Sequence, residues 1–111
     1  MAIKNLQLTT TQLDFIQVPQ EKSWAITNIL VCNTSLTNSA SFDMHLIPNG
    51  DALDNKVTAV VRELELPPGE TFTFDSERIV LEAGDKVSFV AEPDIGSELT
   101  DLAATVSYLE V

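Results

Sequence analysis

Two residues carry most of the reactive chemistry this 111-residue chain could offer. His45 is its single histidine and Cys32 its single cysteine. An imidazole beside a carboxylate, as in Asp43-Met44-His45, can act as a general base toward a nucleophile. No serine or cysteine nucleophile motif stands near it, and the alternation of Met44 and Leu46 around His45 directs its side chain out of a sheet. Cys32 closes the apolar run Ile29-Leu30-Val31-Cys32, where a thiol serves as a small buried hydrophobe. A lone cysteine forms no intrachain disulfide, and a lone histidine builds no histidine zinc cluster.

The remaining candidates are carboxylates. Asn49-Gly50-Asp51-Ala52-Leu53-Asp54-Asn55 gathers two acids and two amides, and Asp94, Glu98 and Asp101 surround a Gly-Ser loop. Calcium wants six to eight oxygens, and neither loop has the spacing of a helix–loop–helix calcium site, because Gly50 precedes Asp51. Both read as solvated turns, with calcium or a host glycan as the alternative ligand. Paired acids for glycoside hydrolysis need a cleft between them, for which so small a chain has little room. Glu63 and Glu65 sit on the polar side of an alternating run, where charge discourages edge-to-edge pairing. Phosphate-binding glycine loops, nucleophile elbows and paired-cysteine motifs are all missing from the sequence. The expectation is a non-enzymatic protein with no catalytic, cofactor-binding or metal-ligating residue.

The elements that carry these residues repeat every two positions. Leu6 and Leu8, Leu13 and Phe15, Phe42, Met44 and Leu46, Leu64 and Leu66, Phe72 and Phe74, Val87, Phe89 and Ala91, and finally Ala104, Val106 and Tyr108 alternate with polar residues. The segment Trp24 to Cys32 is apolar on both parities, as in a central strand or one that meets a partner. Turn residues separate the runs. Pro67-Pro68-Gly69-Glu70 reads as a hairpin turn, Ala83-Gly84-Asp85 as another tight turn, and Pro93 to Ser97 as the last loop. Residues 52–58 admit two readings: a helical turn capped by Asp51, from the spacing of Val57, Val60, Val61 and Leu64, or β structure, from its β-branched residues. Strands of this length with turns at this interval predict an all-β fold over residues 1–111. It is a single antiparallel β-sandwich of about eight strands, immunoglobulin-like or jelly-roll-like, with residues 1–10 as a possible contact arm.

Seventeen Asp and Glu against six Lys and Arg give a formal net charge of −11. That balance supplies no basic patch for nucleic acid or for an anionic membrane. No apolar run reaches the ~20 residues of a membrane helix, and the first residues lack the apolar core of a secretory signal. The charge is uneven. Lys4, Lys22, Asp14 and Glu21 cancel within residues 1–41, so the whole excess belongs to residues 42–111. The neutral, apolar first third is the expected contact side, with Ile3, Leu6, Leu8 and Trp24 as contact residues.

The succession of Ile26-Thr27-Asn28-Ile29 through Asn33-Thr34, Pro68-Gly69-Glu70-Thr71, Leu81-Glu82-Ala83-Gly84-Asp85 and Thr105-Val106-Ser107-Tyr108 with Glu110 resembles a group of small virion structural proteins of tailed bacteriophages. The resemblance spans about residues 12–111 and rests on strand-edge and turn patterns. It implies a β-sandwich made in the host bacterial cytoplasm and built into the virion. Capsid decoration or cementing comes first, with a neck, tail or fibre component or a host-facing binding module as alternatives. It also implies partners among the virion proteins (major capsid, neck or tail protein) and a homo-oligomer, a trimer before other states. The family's roles are architectural, so no functional residue carries over.

Overall fold

The computed structural model describes residues 2–54, 56–74, 79–91 and 99–111. Among them the period-two runs become nine strands, and no helix forms: β1 (Ala2–Thr9), β2 (Leu13–Gln17), β3 (Trp24–Asn33), β4 (Ala40–Ile47), β5 (Ala59–Leu66), β6 (Thr71–Phe74), β7 (Ile79–Leu81), β8 (Lys86–Ala91) and β9 (Leu99–Glu110). They build two antiparallel sheets. Sheet A has the order β1-β9-β3-β6, with β7 also on β3; sheet B has the order β2-β8-β4-β5. β6 lies along Ile29–Cys32 and β7 along Trp24–Ile26, so the two share one edge position of sheet A.

The pairing follows one rule. β1 pairs with β9, β2 with β8, β3 with β6 and β7, and β4 with β5, so the chain runs as one long antiparallel ribbon. The ribbon then rolls so that β3 meets β9 and β4 meets β8. This is jelly-roll order. An immunoglobulin-like sandwich keeps its first two strands in one sheet, whereas here β1 and β2 lie in opposite sheets.

The roll changes the meaning of one predicted turn. Pro67-Pro68-Gly69-Glu70 is not a hairpin turn: it carries the chain from β5 in sheet B to β6 in sheet A. Its geometry is still that of a tight turn, with Gly69 at φ 75° and the Glu70 amide donating to the Pro67 carbonyl at 3.2 Å. Asn33, fully buried at the end of β3, fastens this crossover. Its side-chain amide donates to the carbonyls of Asn38 (2.8 Å), Leu66 (3.0 Å) and Pro67 (3.3 Å). The open question at 52–58 resolves to a single turn, in which the Asp54 carbonyl accepts the amides of Val57 and Thr58 before β5 begins.

Between the sheets lie Leu8, Phe15, Ile29, Val31, Phe42, Met44, Phe89, Leu102, Ala104 and Val106, all essentially inaccessible. Phe42 of sheet B meets Phe72 of sheet A edge to face at 5.6 Å, and Phe15 meets Phe89 at 5.4 Å. Truncating one such ring costs about 3–5 kcal/mol.

Another crossover, from β7 to β8, turns at Gly84 with φ 84°, and its amide donates to the Val18 carbonyl at 2.9 Å. A β-carbon there would run into the side chain of Asn49. Gly50, at φ 86°, has open space around it instead. Gly50→Ala is therefore expected to cost about 1 kcal/mol from backbone strain, and Gly84→Ala about 2–3 kcal/mol from strain plus collision. Urea unfolding of the two variants checks that order.

Candidate functional site

Because strand residues alternate, each sheet has an outer face, and the two differ in chemistry. On sheet A, the positions between the buried ones are Ile3, Asn5 and Gln7 on β1, and Ala103, Thr105, Ser107 and Leu109 on β9. β3 contributes Ala25, Asn28, Leu30 and Cys32, and the edge contributes Thr71, Thr73 and Val80. None of these is charged, in a chain that is 21% Asp, Glu, Lys and Arg. A bulge between Ile26 and Asn28 adds Thr27, whose hydroxyl lies 2.7 Å from that of Ser107. Ile3 is 65% exposed, Val80 53% and Leu109 38%. Around Asn28 and Leu30 the middle of the face is small: alanine, serine, threonine and a half-buried cysteine. Cys32 thus belongs to this face rather than to the core, a correction to the buried thiol expected of it.

The expected contact residues are scattered by the fold. Ile3 lies on the uncharged face. Leu6, 40% exposed, has the inward parity of β1. Leu8 is fully buried in the chain's own core and offers nothing to a partner. Trp24 is half-buried and stacks on Tyr108 at 4.3 Å with 20° between the rings, closing one end of the sandwich. Residues 2–9 are an integral strand rather than a projecting arm, since β1 pairs with β9.

The outer face of sheet B is polar and tied to itself. His45 has the outward parity expected of it, yet it is 0% exposed. The connection before β5 covers it: Thr58 Oγ1 lies 2.8 Å from His45 Nδ1, and the Leu46 amide donates to the Thr58 carbonyl. His45 Nε2 is buried without a hydrogen-bond partner. Burial lowers the imidazole's pKa; Asp43 pulls it up and Arg62 pushes it further down, so the ring is held neutral. Beside it in register stands Ser88, also fully buried, whose hydroxyl donates to Asp14 at 2.7 Å. Burial would raise the Asp14 pKa, but hydrogen bonds from Ser88 and Gln12 and the charge of Lys86, 3.6 Å away, outweigh it and hold the carboxyl below its usual value. The serine thus donates to an acid, and the ring nitrogen that does bond is taken by a threonine. A nucleophile relay needs the serine to donate to the histidine.

Asp43 anchors the edge. It accepts from the Glu63 amide at 2.5 Å and from Arg62 at 2.6 Å. Among the described residues Glu63 is one of two non-glycines at positive φ, 50°, where the β4–β5 register slips. The carboxylate thereby satisfies an amide the irregular ladder would leave open. Arg62, Asp43, Ser41, Glu63, Val90 and Thr10 line a groove of about 320 Å³ in which Arg62 is already paired with Asp43. A second hollow of about 380 Å³ lies along the loop from Gly50 to Thr58. Among the described residues no group of three or more His, Cys, Asp or Glu is placed to hold a metal ion. Asn55, Asp94, Glu98 and the side chain of Asp101, all singled out in the sequence, lie outside the described residues. No helix among the described residues is long and apolar enough to cross a membrane. Sequence reasoning missed Asp14, Thr58, Arg62 and Ser88, because their partners come from other strands and no local spacing announces them.

The geometry therefore defines a jelly-roll sandwich with one polar, internally bonded face and one face whose described side chains are uncharged. No family model, no curated protein and no solved structure matches the chain.

His45 is the only histidine, the one side-chain type whose ordinary pKa falls between pH 5 and 8. Its folded pKa lies below the unfolded value near 6.5, so the unfolded chain takes up the proton first and stability falls as pH drops through 6.5. Urea unfolding from pH 7.5 to 5.5 should show this loss, at up to about 1.4 kcal/mol per pH unit, and His45→Gln should abolish it. Asp43→Ala should cost about 2–3 kcal/mol at pH 7, through the orphaned Glu63 amide, with Asp43→Asn recovering part of it.

Proposed function

We propose that the chain is a non-enzymatic structural protein of a phage particle, and that it docks on another virion protein through the outer face of sheet A. Decoration of the capsid is the first location, ahead of a neck or tail position. One observation carries the docking reading: the described side chains on the outer face of sheet A carry no charge, although the chain carries −11. Charge is depleted at the centre of protein interfaces because each buried ion must be desolvated. The described acids lie elsewhere, where repulsion keeps copies from clustering in wrong orientations. The particle itself is supported by the resemblance in turn and strand-edge residues. Jelly rolls serve viral shells and also lectins, so the fold accommodates this role without selecting it.

The size of the face fits a repeated contact. Four strand positions by about eight residues make roughly 500 Å². A standard interface uses about 800 Å² per partner, so one copy binds weakly and an array of copies binds well through multivalency.

Leu30 sits at the middle of this face, on β3 between β9 and β6. Leu30→Glu should leave the melting midpoint nearly unchanged and weaken binding to purified particles by about tenfold or more. Glu65→Lys, on sheet B, should change binding by less than about twofold. Equal binding by wild type and Leu30→Glu would remove the docking face. Failure to find the chain in purified particles by mass spectrometry would remove the virion role.

A further inference from the structure

A sandwich of two open sheets has four edges, and three of them are defended. β2 has five residues, a register shift after Asp14, and the charges of Asp14 and Lys86 along it. β5 carries Arg62, Glu63 and Glu65, a positive φ at Glu63 and two register shifts against β4. The β6/β7 edge is split into strands of four and three residues. Bulges, charges and shortness are the devices that keep strand edges from pairing. β1 lacks them. It spans eight residues and keeps register with β9 from Ala2 to Gln7. It has no acid, and β9 is its one strand neighbour among the described residues. Its single charge, Lys4, leans inward to 5.8 Å from the centre of the Phe15 ring. Ile3 on one side and Leu6 on the other are exposed.

We propose that β1 is a homotypic pairing edge, on which β1 of a second copy adds antiparallel across a two-fold axis. The backbone groups of a strand edge are matched best by another extended strand. A second copy fits because chains of charge −11 repel everywhere except at an acid-free segment, and β1 is one. The register follows from geometry. Residues directly opposite in an antiparallel pair point to the same side, so a two-fold pairing sets residues of equal parity against each other. Lys4 opposite Lys4 would oppose like charges. Asn5 opposite Asn5 avoids this, sets Lys4 against Leu6, and uses the regular part of the strand. The outer faces of both sheets A then join into one surface of roughly 1,000 Å² whose described side chains carry no charge, enough for a standard interface. That use of the joined surface rests on the docking reading above, whereas the pairing itself does not.

The test is cross-linking and mass in solution. In a Cys32→Ser background, Asn5→Cys places two thiols opposite each other, within disulfide range. Ile3→Cys places them about 13 Å apart along the strands. Mild oxidation should turn most of the Asn5→Cys chain into a covalent dimer and leave Ile3→Cys largely monomeric. Sedimentation equilibrium of the wild type should approach twice the 12.1 kDa chain mass at about 200 µM. Equal cross-linking of the two variants, a monomer at that concentration, or a trimer, which a two-fold edge cannot build, would overturn the proposal. Leu30→Glu separates the two readings: it should lose particle binding and keep the dimer.

Discussion

The insertion of β9 between β1 and β3 is the constraint on which the rest of the structure depends. This strand of twelve residues is hydrogen-bonded on both sides. Its inward positions, Leu102, Ala104 and Val106, fill the centre of the core, and its outward positions, Ala103, Thr105 and Ser107, form the middle of the uncharged face. Without it β1 has no partner strand, Tyr108 does not cover Trp24, and the inner face of β3 opens to water. One strand therefore supplies the cohesion of the sandwich and the character of its surface. The pairing of β1 with β9 is also the most distant one, joining the first and last strands. Such topologies pay loop-closure entropy before their long-range contacts form, and they fold slowly for that reason.

The two sheets treat polar groups in opposite ways. Sheet B gathers charge on its outer side and neutralises it internally: Asp43 with Arg62 and the Glu63 amide, Asp14 with Ser88 and Lys86. These groups are partly desolvated, and each has an assigned partner, so the arrangement resists rearrangement. The described outward side chains of sheet A carry no charge, and Thr27 and Ser107 satisfy each other there. The exception, the buried and unpartnered Oδ1 of Asn28, lies on this face. An acceptor in that state is a cost that a donor from a docked partner would remove.

Much of the architecture is legible in the sequence because a buried strand face leaves a period-two mark. Phe42, Met44 and Phe89 can be assigned inward on alternation alone, and they point inward. What the alternation does not encode is which sheet a strand joins. Pro67-Pro68-Gly69-Glu70 has the chemistry of a turn wherever it sits, and only the pairing of β5 with β4 and of β6 with β3 makes it a crossover. Parity also places His45 on an outer face correctly, but exposure depends on Thr58, thirteen residues away, folding over it. The division of charge at residue 41 anticipates a neutral surface. Yet the neutral surface mixes β1 and β3 with β9, β6 and β7, while β2, from the neutral third, lies in the other sheet. Linear composition tracked this face only because two of its strands come early.

The short side chains at the middle of sheet A have a thermodynamic consequence. Alanine, serine and threonine lose little rotamer freedom on burial, whereas lysine, glutamate or arginine at the same positions would each give up as much as about 1.5–2 kcal/mol. Their backbone is already held by strand pairing on either side and by crossovers fixed at Asn33 and Gly84. A partner that meets this surface would find it already ordered. Most of the free energy released by dehydrating the contact would then appear as affinity, with little spent on ordering the surface first.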